Sequence, residues 1–226
     1  MGKIHKIVLT GGPCAGKSTI LAALKDHYGD RVVLVEEAAT QIFSIPYDQG
    51  GPGIPGRDVE WSEEWAHNFQ KLVLEKQIAD ETAAQTMAEK HAQENGQSTI
   101  VVCDRGVLDG AAYMPKGREE FFSHFGLTLG DCVARYDQVI HLNSLATDSP
   151  KLFDELRHNN HTRKESLEGA KELDERTFSV WEGHPKRDRI PATESIDHKV
   201  ETVVGLIESL RENDELNENL EVERHS

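Results

Sequence analysis

The chain has 226 residues and carries 25 Lys and Arg against 40 Asp and Glu, a formal net charge of −15. That length suffices for one substantial core, and no Pro-, Gly- or Ser-rich linker splits it into halves of domain size. The acid excess argues against a general nucleic-acid or anionic-membrane surface, so any phosphate-binding field must be local.

Residues 1–6 leave no room for a signal peptide ahead of the first apolar run, and no run approaches membrane-spanning length. Cys14, Cys103 and Cys132 form an odd set without metal-ligand spacing. A soluble protein of a reducing, cytoplasmic compartment is expected.

Ile7-Val8-Leu9 reads as a buried strand and runs directly into Thr10-Gly11-Gly12-Pro13-Cys14-Ala15-Gly16-Lys17-Ser18-Thr19. Every fixed position of G-x-x-x-x-G-K-[ST] is met, and the helical pattern Ile20, Leu21, Leu24, Tyr28 follows. Such a loop turns backbone N–H groups onto a polyphosphate, and glycine permits the φ > 0 conformations this requires. Lys17 is placed to reach the β- and γ-phosphates and Ser18 to take a Mg²⁺ position, with the dipole of the following helix adding to the same field. ATP or GTP is the expected nucleotide.

Arg31 to Val35 reads as a second buried strand, ending in Glu36-Glu37. Carboxylates at the carboxyl end of such a strand face the ligand crevice, where a base or hydroxyl-orienting group belongs in a phosphotransferase. The two acids are equally placed for that role by sequence. Residues 46–60 hold three prolines and four glycines without periodicity and predict a long loop, suited to a flap over an acceptor site. A helix from about Trp61 to Glu94 follows, with Trp61, Trp65, Phe69 and Leu72 on one face and Gln70 and Gln77 on another. Trp61 or Trp65 is either core or pocket lining.

The third strand, Ser98 to Cys103, ends in Asp104-Arg105-Gly106. Asp104 is the expected partner of Ser18 in holding Mg²⁺, Arg105 supplies a fork for a phosphate or a neighbouring carboxylate, and Asp109 is a second candidate for the metal's outer shell. The fourth strand, Asp137 to Asn143, continues into Ser144-Leu145-Ala146, which excludes the N-K-x-D guanine motif of a Ras-type switch.

Residues 151–187 carry eight basic and eight acidic side chains, a locally neutral stretch in an acidic chain. Arg157 to Lys164 is a basic polar knot between two helical segments, the expected form of a lid whose arginines fold over the phosphates. A short strand near Asp188-Arg189-Ile190 and a helix with Ile196, Val200, Val203, Val204, Ile207 and Leu210 on one face complete a single domain over 1–212. The loop 191–194 lies where a nucleotide base would rest, and residues 213–226 read as a disordered acidic tail.

The segments IVLTGGPCAGKST, VEEAA, DRG, RHNNHTRKESLEGAKELDERT and WEGHP together resemble the NadR-like AAA domain family of P-loop proteins, a branch near the nucleoside and thymidylate kinases. The namesake domain phosphorylates nicotinamide riboside. The resemblance spans residues 4–210 and implies an α/β fold of three layers, a five-stranded parallel sheet of order 2-3-1-4-5 flanked by helices, with a helical lid. It also implies Asp104 in the metal place and Arg157 or Arg163 in the lid place. Phe69-Gln70 looks like the base-reading pair of deoxynucleoside kinases.

Two functions follow. The first is a Mg²⁺- and ATP-dependent small-molecule kinase acting on a nucleoside-like hydroxyl. Lys17, Glu36, Glu37, Arg105, Arg157 and Arg163 are its candidate catalytic groups, and Trp61, Trp65, Phe69 and Gln70 its acceptor site. The second is a nucleotide-gated ATPase or GTPase that presents a surface to a protein or lipid partner. Oligomeric state is not legible.

Overall fold

The computed structural model describes residues 2–158, 166–192 and 195–224, with side chains described over 2–155, 166–192 and 195–212. In chain order the elements are β1 (Ile4–Gly11), α1 (Lys17–Tyr28), β2 (Val32–Val35), α2 (Ala38–Phe43), α3 (Glu63–Asn95), β3 (Thr99–Asp104), α4 (Arg118–Phe125), α5 (Leu129–Val133), β4 (Gln138–Leu142), α6 (Leu145–Asp148), α7 (Pro150–His158), α8 (Leu167–Ser179), β5 (Arg187–Ile190) and α9 (Ile196–Arg224). The five strands form one sheet in the order β2-β3-β1-β4-β5, all neighbours parallel. This is the order the resemblance implied.

Parallel neighbours need helical crossovers, so both sheet faces are covered and the strands become continuous apolar runs. β1 shows how one strand serves two layers. Val8 packs with Leu74, Ala84 and Ala88 of α3 and with Trp181, while Ile7 and Leu9 pack on the other face with Ile20 and Leu24 of α1 and Val203 and Ile207 of α9. All three strand residues are fully buried. The strand order reverses at β1, and the loop that follows β1 therefore opens into the crevice between diverging crossovers.

Helix α3 begins two residues later than the pattern predicted, because Ser62 caps it by accepting the Trp65 N–H at 3.0 Å. It ends at Gly96, which sits at φ 65°. The predicted aromatic face holds for Trp65 and Phe69 but not at its ends: Leu72 is 44 % exposed, and Trp61 precedes the cap and is 60 % exposed. The stretch 46–60 is irregular as expected, with one 3₁₀ turn at Tyr47–Gln49 and a single bridge between Pro55 and Val59. It is tied to α3 by the Trp65 indole, which donates to the Pro52 carbonyl at 3.0 Å.

Helix α9 runs on through the stretch expected to be a tail, up to Arg224. Its 213–224 sequence is rich in Glu, Leu and Asn with no Gly or Pro to stop a helix already nucleated by the packed turns before it. Among the described residues no helix is long and apolar enough to cross a membrane.

Candidate functional site

Because all strands are parallel, their carboxyl ends share one edge, and each delivers its following residues to the same crevice. Gly11 ends β1 at φ 146°, and a Cβ there would stand 2.2 Å from the Leu142 carbonyl oxygen. Only glycine fits that approach. Cys14 at φ 60° and Gly16 at φ 91° then turn the loop so that Gly16 caps α1. Lys17 opens the helix with its ammonium 4.0 Å from Asp104 Oδ1, and Ser18 and Thr19 are exposed on the first turn. Burial, together with the neighbouring Arg105, holds the Lys17 pKa below its usual value, against the pull of Asp104, Glu37 and Asp109.

Asp104 ends β3. Its Oδ1 is buried without a hydrogen-bond partner, and burial together with Glu37 and Asp109 raises its pKa against the pull of Lys17 and Arg105. An orphaned carboxylate oxygen at the end of β3 and an exposed serine hydroxyl next to Lys17 on the first turn of α1 are a donor set that suits Mg²⁺, which takes one or two protein oxygens plus phosphates. Among the described residues no group of three or more His, Cys, Asp or Glu side chains gathers as an all-protein metal cage. The fit is therefore to a nucleotide-bound ion.

The two acids after β2 separate. Glu36 is exposed, its carbonyl accepting from Gln41, whereas Glu37 turns inward. Glu37 stands at the N-cap of α2 but makes no side-chain cap, which leaves its carboxylate free for the site. Arg105 Nε donates to Glu37 Oε1 at 2.5 Å and Thr40 Oγ1 to Glu37 Oε2 at 2.6 Å. Burial raises the Glu37 pKa, but Arg105, Lys17 and the Thr40 hydroxyl outweigh it and bring the group down to about 2. Arg105 is bound on its other side as well, donating to the Gly11 carbonyl at 3.2 Å, and it lies 5.7 Å from the Tyr113 ring centroid. Its φ of 68° is unusual for a side chain this large. The Arg105 carbonyl is fixed by Gln77 Nε2 at 3.1 Å.

Next to the Glu37–Arg105 pair lies a cavity of about 360 Å³, of small-molecule size. Phe43, Trp65 and Phe69 form its wall as a near-parallel stack, with centroids 4.3 Å apart for Phe43–Phe69 and 5.1 Å for Trp65–Phe69. Trp61 stands at the same cavity from its exposed position. Gln70 is buried and its Oε1 finds no partner in the protein. Gln77, paired with Gln70 by spacing, is instead spent on Glu81 and the Arg105 carbonyl. Helix α3 thus contributes one amide with an unpartnered oxygen, not two.

The structure therefore brings together Gly11 to Thr19, Glu37, Trp61, Trp65, Phe69, Gln70, Asp104 and Arg105. Glu36 is not among them. Asp109 is nearby but committed elsewhere: its carboxylate accepts from Thr10 Oγ1, from the Gly106 N–H at 2.8 Å and from Trp181 Nε1 at 3.2 Å, which makes it a strut under the site. Arg157 lies in α7, where the backbone alone is described, and Arg163, Thr193 and Glu194 lie outside the described residues. Sequence reasoning missed Phe43, Thr40 and Tyr113. Phe43 ends a six-residue helix, too short for a periodic signal.

A family model described as AAA domain matches residues 6–193, most of the chain and all of the site just described. The chain belongs to the AAA domain family. No curated protein matches it. As a P-loop AAA domain it is of nucleotide-binding, NTPase or kinase type, and the glycine-rich stretch from Gly11 to Thr19, which meets the P-loop pattern, lies inside the matched region.

Proposed function

We propose that this AAA domain is a small-molecule kinase that transfers the γ-phosphoryl group of ATP to a hydroxyl of an uncharged, nucleoside-like acceptor. The observation that carries the reading is the aromatic cavity opening on Glu37 and Arg105, which Arg105 ties to the phosphate loop. A nucleotide-gated switch needs no such compartment; a transferase needs one to seat the acceptor and exclude water.

The residues divide the work as follows. The loop N–H groups and Lys17 hold the triphosphate and meet the charge that spreads over the transferring group. Ser18 and Asp104 would hold Mg²⁺, which would supply positive charge to the phosphates. Glu37 accepts the hydrogen bond of the attacking hydroxyl. A carboxylate with a pKa of about 2 is a weak base, and its role is to orient the oxygen in line while the proton leaves late, as a loose phosphoryl-transfer transition state permits. Arg105 holds Glu37 in place and ties it to the loop through the Gly11 carbonyl. Arg157 or Arg163 completes the phosphate contacts by the resemblance of their segment to a kinase lid.

The acceptor is read by its ring. A planar heterocycle fits along the Phe43–Phe69–Trp65 wall, and Gln70 Oε1 waits for an N–H donor on it. Among the described residues the cavity lining holds one cation, Arg105, already paired with Glu37, so a phosphorylated acceptor finds no unpaired cation among them. This favours nucleosides over nucleoside monophosphates, and the resemblance to NadR-like domains puts nicotinamide riboside among those to try. The test is γ-phosphate transfer from ATP and from GTP, with Mg²⁺, across nucleosides, nucleoside monophosphates and nicotinamide riboside, against the rate without acceptor. Acceptor-dependent transfer to a nucleoside is expected; hydrolysis alone, indifferent to every acceptor, would sink the kinase reading in favour of a nucleotide-gated module.

A further inference from the structure

The helix that follows residues 159–165 carries a carboxylate that the kinase reading does not use. Asp174, midway along α8, is fully buried, and its neighbour positions on that helix, Lys171 and Glu175, face solvent or its edge. One of its oxygens, Oδ1, accepts from the Gly12 N–H at 2.9 Å, the Ser144 N–H at 3.0 Å and His141 Nε2 at 3.2 Å. The other, Oδ2, accepts from Thr147 Oγ1 at 2.7 Å and lies 3.9 Å from an Arg189 nitrogen. Burial raises the Asp174 pKa, but the hydrogen bonds from His141, Thr147 and Gly12 more than offset it, so the group is an ionised, acceptor-only carboxylate and His141 must carry its proton on Nε2.

Two of these donors belong to the phosphate loop or its support. Gly12 is the second residue of the loop, and Ser144, which ends the β4 turn, donates in its turn to the Pro13 carbonyl at 2.5 Å. The loop's entry, Gly12-Pro13, is thus held from both sides, by α8 and by the turn after β4. The approach is close as well as bonded. A Cβ on Gly12 would meet Asp174 Oδ1 at 2.7 Å, its Cβ at 2.8 Å and its Cα at 3.0 Å, so the backbone of α8 itself sets how far the loop can move.

We propose that Asp174 is a positioning residue of the phosphate loop, fixing the Gly12-Pro13 entry through Oδ1 so that the N–H groups further along are already aimed when a nucleotide arrives. Pre-aimed donors bind without reorganising, and a loop released at its entry must order itself at the expense of affinity. The contact touches no phosphate. It acts through the backbone.

The test is ATP affinity with Mg²⁺, by calorimetry on the full chain, alongside urea denaturation without nucleotide. Asp174→Ala is expected to weaken ATP binding at least about tenfold and to shrink the ATP-induced rise in melting temperature by more than its own loss of stability explains. Asp174→Asn keeps an acceptor oxygen for Gly12 and Ser144 and places an amide toward Thr147, and is expected within about threefold of the parent. Thr147→Val removes only an Oδ2 donor and should lower stability without changing ATP affinity. Parent-like affinity in folded Asp174→Ala, or an Asp174→Asn as weak as Asp174→Ala, would overturn the proposal. Should Asp174→Ala not fold, Gly12→Ala asks the same question from the loop side, since its methyl drives the loop off α8. A loss of about tenfold or more supports the proposal and unchanged affinity overturns it.

Discussion

Glu37 and Arg105, 68 positions apart, meet end to end at 2.5 Å at the mouth of the aromatic cavity, and Arg105 reaches on to the carbonyl of Gly11. The aromatic cavity and the glycine-rich loop are joined by that one guanidinium. Glu37→Gln is therefore expected to cut phosphoryl transfer by on the order of 10²- to 10⁴-fold while leaving ATP affinity near that of the parent, since the Gln amide still fills the space but cannot orient a hydroxyl as an anion does. Single-turnover transfer and equilibrium binding, measured on the same variant, separate the two effects. Full transfer activity would remove Glu37 from the mechanism.

The same ion pair has a pH signature. The Glu37 carboxyl is lowered from 4.5 to about 2 by folding, so its stabilising contribution is complete above the ordinary glutamate value and is lost as pH falls through the folded value. The stability advantage of the parent chain over Glu37→Gln should be constant above about pH 5 and vanish between there and about pH 2. Urea denaturation of both chains across that range checks it; an advantage that fades above pH 5 contradicts the assignment.

Lys17 is held with its pKa below the usual range by burial and by Arg105, so its protein surroundings do not favour its charge. Lys17→Ala should weaken ATP binding about tenfold or more, yet change the stability of the nucleotide-free chain by no more than about 1 kcal/mol. Binding and denaturation curves on one preparation decide both halves. Unchanged ATP affinity would take the phosphate loop out of play.

Gln70 lines the cavity, and its buried Oε1 has no hydrogen-bond partner. Replacing it by Leu removes that oxygen at similar volume, so stability should hold or rise slightly, while the acceptor KM rises at least about tenfold with ATP KM unaltered. Steady-state kinetics with each substrate varied in turn reads this split, and a parent-like acceptor KM would mean the amide reads nothing.

Further along α3, Glu81 is fully buried and receives Lys6 at 3.2 Å, Arg135 at 2.8 Å, the Tyr136 hydroxyl at 2.5 Å and Gln77 at 2.9 Å. Burial and the Glu81 charge both push the Tyr136 pKa well up, which keeps that hydroxyl a donor. Glu81→Ala leaves two cations facing one another without their anion and should cost about 3–5 kcal/mol of stability by urea denaturation. A loss under about 1 kcal/mol would show that the cations find water instead.

The strands and the phosphate loop were legible because they are written locally, whereas the strand order came with the family resemblance. An apolar run followed by a glycine-rich anion loop and a helix start has few other solutions; the second to fifth strands lie within a residue of their predicted bounds, while β1 extends from Ile4 to Gly11 around the apolar run Ile7 to Leu9. The site was legible only where one strand end fixed one residue, as at Asp104-Arg105. After β2 the choice between Glu36 and Glu37 turned on a two-residue bend, which no periodicity encodes. Gln70 and Gln77 share a helical face, yet one is free and the other spent, because Glu81 lies one turn beyond Gln77 and four positions are what a helix brings together. Asp174 was invisible for a different reason: a charged residue among Glu, Lys and Arg on an exposed-looking helix gives no sign that it points at a loop 162 positions away.

Helix α3 has 33 residues, a rod of about 50 Å. Its first two turns supply Trp65, Phe69 and Gln70 to the cavity, and its later turns are pinned through Gln77, Glu81, Ala84, Ala88 and Ala92. The aromatic wall of the cavity and the seat of the rod thus draw mainly on successive lengths of one element, so side chains at the near end can be exchanged, and the cavity reshaped, without loosening that seat.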